Sequence, residues 1–83
     1  MHADEAGLVD AIANAVLHHL QAHPLAADSV EGVARWWLGP ALVNARAEQV
    51  ERALDLLVSR HALRRLSLMD GSILYAQAST TRQ

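Results

Sequence analysis

Residues 44–75, NARAEQVERALDLLVSRHALRRLSLMDGSILY, change their hydrophobic period once, and this change decides the fold. Up to His61 the apolar residues recur at alternating steps of three and four, which places them on one face of an α-helix. After His61 two short apolar runs flank Asp70-Gly71, a dipeptide that accepts the positive φ angles of a tight primed turn. The stretch therefore predicts an amphipathic helix that leads into a β-hairpin.

Two further helices are predicted before this stretch. The first covers residues 4–22, where apolar side chains share one face until His23-Pro24 ends the helix. The second covers residues 29–38, because Asp28 and Glu31 have the spacing of a capping box.

The connection between the second and third helices contains Gly39-Pro40, which interrupts helical structure. Asn44 is the predicted cap of the third helix, which ends near Arg60-His61, and Pro40 at a first helical position is the alternative, earlier start. The prediction is an α+β domain of three helices followed by a two-stranded hairpin.

The composition sets limits on the class of protein. A chain of 83 residues predicts one domain, residues 1–83, with an ordered core at about residues 5–77. It has no cysteine, which excludes disulfides and thiolate zinc sites and fits a reducing cytosol. No apolar run has the length of a signal core or a membrane span. We therefore expect a cytoplasmic protein that does not associate with membranes.

Charge is distributed unevenly along the chain. The net charge is −2, whereas a free-standing nucleic-acid-binding domain is usually basic. Residues 1–43 carry five acids and one arginine, a net charge of −4, and residues 44–83 carry six arginines and four acids, a net charge of +2. The predicted helix and hairpin thus form the more positive half of the molecule.

Residues 50–75, VERALDLLVSRHALRRLSLMDGSILY, resemble the closing half of bacterial winged-helix domains. Ala62-Leu63 followed by Arg64-Arg65 match the step from the recognition helix into the wing, although His61-Ala62 replaces the usual small residue and glycine. The core positions of the helix are matched by Val50, Ala53, Leu54 and Leu57.

This resemblance implies a winged helix-turn-helix fold in which the hairpin is a two-stranded wing. It also implies a function, that of a small DNA-binding transcriptional regulator that acts as a dimer on double-stranded DNA. The same domain serves elsewhere as a protein-docking module. The alternative prediction is therefore an adaptor that binds a protein partner and not DNA.

The predicted DNA contacts lie on the third helix and at the base of the wing. A recognition helix reads base edges with outward residues of its N-terminal half, and the wing contacts phosphates. The acids Glu48, Glu51 and Asp55 lie beside these positions, and Glu48 and Arg52 have the spacing of an ordinary solvated helix pair. A charged or protein-docking surface is therefore the competing interpretation. The candidate contacts are Asn44, Arg46, Gln49, Arg52, Arg64 and Arg65.

Trp36-Trp37 is the most unusual local feature of the sequence. Adjacent residues on a helix point about 100° apart, so one tryptophan is expected in the core and the other is expected to be partly exposed. In one interpretation, Trp37 fills the core together with Val30, Val33 and Ala34, and Trp36 lies against the first helix or the hairpin. In the other, one of the two residues, Trp36 or Trp37, forms a surface for a dimer or a partner protein.

Histidines and acids give no convincing catalytic or metal site in the sequence. His19 and His23 are four residues apart and His18 is adjacent, but no third ligand of a suitable type lies nearby. There is no glycine-rich phosphate loop, nucleophile elbow or acid–base pair. We therefore expect no metal, no cofactor and no enzymatic activity.

Overall fold

In a computed structural model of the protein, residues 3–78 are described. They form an α+β fold with three helices and a three-stranded antiparallel sheet. The predicted α+β class is confirmed at this level. The elements are α1 (Ala3–Ala22), β1 (Ala27–Asp28), α2 (Val30–Gly32) with a π-helical continuation (Val33–Trp37), a 3₁₀ turn (Pro40–Leu42), α3 (Ala47–Ser59), β2 (Leu63–Ser67) and β3 (Ile73–Gln77).

The core lies between α1 and α3, which pack against each other, and it is closed by α2 and by the inner face of the sheet. Apolar residues at helical spacing on α1 and α3 supply most of it, as their periodicity predicts. Burial of this apolar surface is the main favourable contribution to folding in a chain of this size. The largest fully buried side chains are Ile12, Val16, Val33, Val50, Leu54 and Leu57.

The sheet has the strand order β1-β3-β2, with β3 in the centre. The predicted β-hairpin is present as the antiparallel pair of β2 and β3, but the sheet has a third strand, β1, which was not predicted. β1 pairs with β3 through Ala27 opposite Ala76 and Asp28 opposite Tyr75. A two-residue strand has no periodicity of its own and forms only because β3 offers a free edge, so the local sequence does not reveal it.

The β2–β3 turn differs from the predicted primed turn at Asp70-Gly71. The amide of Gly71 donates to the carbonyl of Leu68 at 3.0 Å, and the amide of Leu68 donates to the carbonyl of Ser72 at 2.9 Å. Because the Leu68–Ser72 hydrogen bond closes the turn, the loop between these residues has three residues and not two. Only Gly71 in this loop has a positive φ, +93°. Asp70 Oδ1 accepts hydrogen bonds from the hydroxyl and amide of Ser72, and these bonds lower the pKa of Asp70.

The second helix is shorter than predicted, and most of it is π-helical and not α-helical. Ser29 caps it by accepting a hydrogen bond from the Gly32 amide at 3.2 Å, and Asp28 instead accepts from the Ser29 amide at 2.8 Å. The predicted capping box of Asp28 and Glu31 is therefore wrong. The π-helical continuation carries both tryptophans, and π-helical segments occur frequently at functional sites.

The cap of the third helix lies two residues after the predicted cap, Asn44, and the helix begins at Ala47. Its cap is Arg46, whose amide donates to Gln49 Oε1 at 2.9 Å. The C-terminal end is closed by His61, which has a φ of +64°. The amide of His61 donates to Val58, and the amide of Ala62 donates to Leu57, the two hydrogen bonds of a Schellman motif.

Replacing His61 by glycine is expected to raise the free energy of unfolding by about 0.5–1 kcal/mol. A positive φ is unfavourable for a residue with a Cβ and is readily adopted by glycine. The free energy gained by removing this backbone strain is larger than the free energy lost through the greater conformational entropy of glycine in the unfolded state. Equilibrium denaturation measures the change. Arg60→Gly is the matched control, because Arg60 has a φ of −91° and gains nothing from glycine. Equal losses of stability in both variants would contradict this account of the helix end.

Candidate functional site

The N-terminal part of α3 carries the residues predicted to read DNA bases. Asn44, Arg46 and Arg52 are exposed, but Gln49 is half-buried. The Gln49 side chain accepts the hydrogen bond that caps α3, so a base contact by its carbonyl would cost the helix this cap.

Acidic side chains accompany the arginines on α3. Arg46 Nε lies 3.7 Å from Glu48 Oε2, and both side chains are exposed to solvent. Glu51 and Asp55 are exposed as well. The face that would enter a DNA groove therefore carries three carboxylates, which repel phosphates at close range.

Arg64 and Arg65, predicted to contact phosphates together, lie on opposite faces of the sheet. Successive residues of a strand alternate between its two faces. Arg65 pairs with Tyr75 across β2 and β3 and faces α3, whereas Arg64 pairs with Ala76 on the outer face. One phosphate group cannot be held by both side chains from these positions.

Arg65 connects the sheet to α3. Its Nη2 donates to Asp55 Oδ1 at 2.6 Å, and its guanidinium carbon lies 5.7 Å from the centre of the Tyr75 ring. Interaction with Tyr75 first, and with Asp55 second, raises the pKa of Arg65 above its usual value. Arg65 is therefore engaged in a contact within the protein, and a phosphate would have to compete with Asp55 for it.

The two tryptophans have opposite environments. Trp37 is 6% exposed and stacks on His19, with ring centres 4.7 Å apart and planes inclined by 16°. Trp36 is 70% exposed. An exposed tryptophan is uncommon on a monomer surface and is enriched among the residues that dominate binding energy at protein interfaces.

Next to Trp36 in sequence, the second helix carries two exposed charges that also line a groove. Glu31 and Arg35 are both exposed and lie one turn apart on the second helix. Ala34 and Trp36 flank Arg35 on opposite sides, because successive residues of a helix project in different directions around its axis. We call this surface, made of Glu31, Ala34, Arg35, Trp36 and Val43, the tryptophan face.

The groove on one side of this face joins α2 to the start of α3. Val43, which borders it, is 73% exposed. The sequence did not identify Val43 as part of a site, because it is adjacent to Leu42 and only the structure shows that Leu42 is the half-buried member of this pair. The residues that line the groove are Glu31, Ala34, Arg35, Gly39, Val43, Ala45 and Ala47.

His19 and His23, the pair considered as metal ligands, are in ring contact at 4.6 Å. In residues 3–78, no group of three or more histidine, cysteine or acidic side chains is arranged to hold a metal ion. His19 stacks on both Trp37 and His23, so it forms part of the packing between α1 and the second helix.

The pKa of His19 is lowered below its usual value of 6.5, first by burial and second by the nearby His23, with Asp28 acting in the opposite direction. The neutral ring is therefore favoured in the folded protein. The folded state binds fewer protons than the unfolded state once the pH falls below about 6.5, so stability is complete above this pH and is lost as the pH falls through the folded pKa.

We expect the free energy of unfolding to decrease as the pH is lowered from 7 through the folded pKa of His19, which lies below 6.5. Urea denaturation at a series of pH values measures this. His19→Gln removes the titrating group and should flatten the curve in this window. An equal pH dependence in the variant would assign the effect to another group.

Comparison of the chain with protein-family models, with curated proteins and with solved structures gave no match. Among the described helices, none combines the length and the apolar character needed to cross a bilayer.

Proposed function

We propose that this chain is a winged-helix domain that acts as a protein-interaction module and performs no chemistry of its own. The order of its elements, helix, strand, helix, helix and two strands, and the β1-β3-β2 sheet support the winged-helix assignment. A cytoplasmic location is part of the proposal and is consistent with a chain that has no cysteine.

The observation that carries the proposal is the 70% exposure of Trp36, which is adjacent in sequence to Arg35 of the groove. When a partner covers a large apolar ring that is exposed to water, the free energy of the system decreases. Helical backbone holds Trp36, Glu31 and Arg35 in fixed positions, so little ordering is required when a partner binds.

The predicted DNA contacts give weaker support to nucleic-acid binding. Gln49 caps a helix, Arg65 is paired with Asp55, and Arg46 lies beside Glu48. Each of these contacts must be lost or weakened before the side chain reaches a base or a phosphate, whereas Trp36 requires no such rearrangement.

Photo-crosslinking tests the proposed function. A photoreactive phenylalanine derivative placed at position 36 is expected to form covalent adducts with a defined protein, identified by mass spectrometry. Met69 is the matched control site, since it is a fully exposed apolar residue at the turn between β2 and β3. Adducts at position 36 that are no more abundant or specific than those at position 69 would overturn the proposal.

A DNA-binding regulator that acts as a dimer is the second candidate function. It is favoured by the exposure of Asn44, Arg46 and Arg52 at the start of α3 and by the net charge of +2 on residues 44–83. This candidate requires an affinity for duplex DNA that falls steeply with added salt and weakens in the Arg46→Ala and Arg52→Ala variants. Fluorescence anisotropy measures both, and binding that is absent or insensitive to salt excludes it.

A further inference from the structure

The charges of the tryptophan face have a feature that points to one kind of partner. Glu31 and Arg35 are opposite in sign, both are exposed, and neither forms an ion pair within the described residues. A surface with one acid and one base in a row is complementary to its own copy when the two rows run in opposite directions. A partner of a single charge sign would be attracted by one of the two residues and repelled by the other.

We propose that the partner bound by the tryptophan face is a second copy of this chain, related to the first by a two-fold axis. This inference rests on the proposed function, because it names the occupant of the same surface. The second helices of the two copies run antiparallel, so Glu31 of each copy faces Arg35 of the other. Two ion pairs form across the interface, as two-fold symmetry requires.

The same symmetry determines where the apolar residues meet. A two-fold axis perpendicular to both helices keeps a side chain on the same side of the interface in each copy. The two Trp36 rings therefore lie at one edge of the interface, on opposite sides of the axis, and the two grooves bordered by Val43 lie at the other edge. The rings cover each other, and the ion pairs fix the register of the two helices.

The size of the tryptophan face sets the expected strength of the dimer. It comprises one short helix and the segment that follows it, whereas a stable interface buries about 800 Å² on each partner. The whole surface of the chain is 5641 Å², so an interface of that size would cover about one seventh of it. We expect a dimer that forms at micromolar concentration and is not required for folding.

Charge inversion with mixing provides a specific test. Glu31→Arg and Arg35→Glu each replace both attractive pairs by repulsive ones, and each variant is expected to dimerise at least about tenfold more weakly than the original chain. An equimolar mixture of the two variants restores both attractive pairs and should form a heterodimer of nearly normal affinity. Analytical ultracentrifugation of the full chain over a concentration series measures all three samples.

Glu51→Arg is the matched control, because it makes the same change of charge at an exposed position of α3 outside the tryptophan face. It should dimerise normally alone and should not restore dimerisation when mixed with Arg35→Glu. Circular dichroism establishes that each variant is folded. If Glu31→Arg does not fold, Arg35→Glu and Trp36→Ala are tested alone, and both are expected to weaken dimerisation.

A chain that is monomeric at millimolar concentration overturns the inference, and so do single variants that dimerise normally or a mixture that stays monomeric. Failure of this inference is distinguishable from failure of the proposed function. Specific crosslinks from position 36 to a different protein, in a chain that is monomeric, retain the interaction function and remove only the second copy. If position 36 gives no specific crosslinks, both the interaction function and the second copy as its partner are contradicted.

Discussion

Replacing Leu54 by alanine is expected to lower the free energy of unfolding by about 3–4 kcal/mol, one of the two largest effects predicted for this chain. Leu54 lies in the middle of α3, is 0% exposed and belongs to the core between α1 and α3. Truncation removes buried apolar surface and leaves a cavity that the surrounding helices fill only in part. The total stability of a domain of this size is about 4–12 kcal/mol, so the loss is a large fraction of it.

Urea denaturation followed by circular dichroism measures this loss. Met69→Ala is the control, since Met69 is an apolar residue in the fully exposed turn between β2 and β3 and its truncation should change stability by less than about 0.5 kcal/mol. If the loss in free energy of unfolding were as small in Leu54→Ala as in Met69→Ala, Leu54 would not belong to the buried face of α3.

The elements that the sequence predicts well are those determined by local pattern. The apolar residues of α1 and α3 recur at the helical period, and the strands of the hairpin are apolar runs on either side of a turn. These features need no knowledge of the rest of the molecule. The amphipathic face of α3 that contains Leu54 is therefore readable from 13 residues alone.

The elements that were missed depend on contacts distant in sequence. β1 exists because Ala27 and Asp28 meet Ala76 and Tyr75, nearly fifty residues later. The π-helical segment holds Trp37 against His19 of α1, a contact that the local sequence does not contain. Such structure is decided by tertiary packing, which overrides local propensity.

The candidate site was predictable to a different degree in each part. The alternation of strand residues already implied that Arg64 and Arg65 face opposite ways, so their joint role in phosphate binding was in conflict with the predicted strand. The capping role of Gln49 had a signal as well, because a glutamine three residues after a helix cap is the capping-box spacing. The signal was missed because the cap was assigned to Asn44 and not to Arg46.

The helical spacing of Val30, Val33 and Trp37 predicts that Trp37 is the buried tryptophan, and the structure confirms this prediction. The sequence leaves open whether Trp36 lies against the first helix or the hairpin or faces a partner, and only the structure shows that its ring is 70% exposed. Glu31 was assigned to a capping box and Arg35 had no assigned role, because their exposure one turn apart on the second helix is known only from the structure.

The tryptophan pair provides the second large prediction, in which adjacent residues act as each other's control. Trp37→Ala is expected to lower the free energy of unfolding by about 3–5 kcal/mol, because Trp37 is 6% exposed and loses its stacking on His19. Trp36→Ala should change the stability of the monomer by less than about 0.5 kcal/mol, because its ring lies largely in water. Denaturation in a dilute sample measures both values.

Concentration separates the two roles further. When the chain is concentrated enough to dimerise, association stabilises the folded state, and the denaturation midpoint of the original chain should rise with concentration. Trp36→Ala should abolish this rise, because it removes the ring that the second copy covers, whereas its dilute-solution stability is unchanged. Equal losses in the two variants at low concentration would contradict the assignment of Trp37 to the core. A midpoint that rises as much in Trp36→Ala as in the original chain would contradict the role of Trp36 in association.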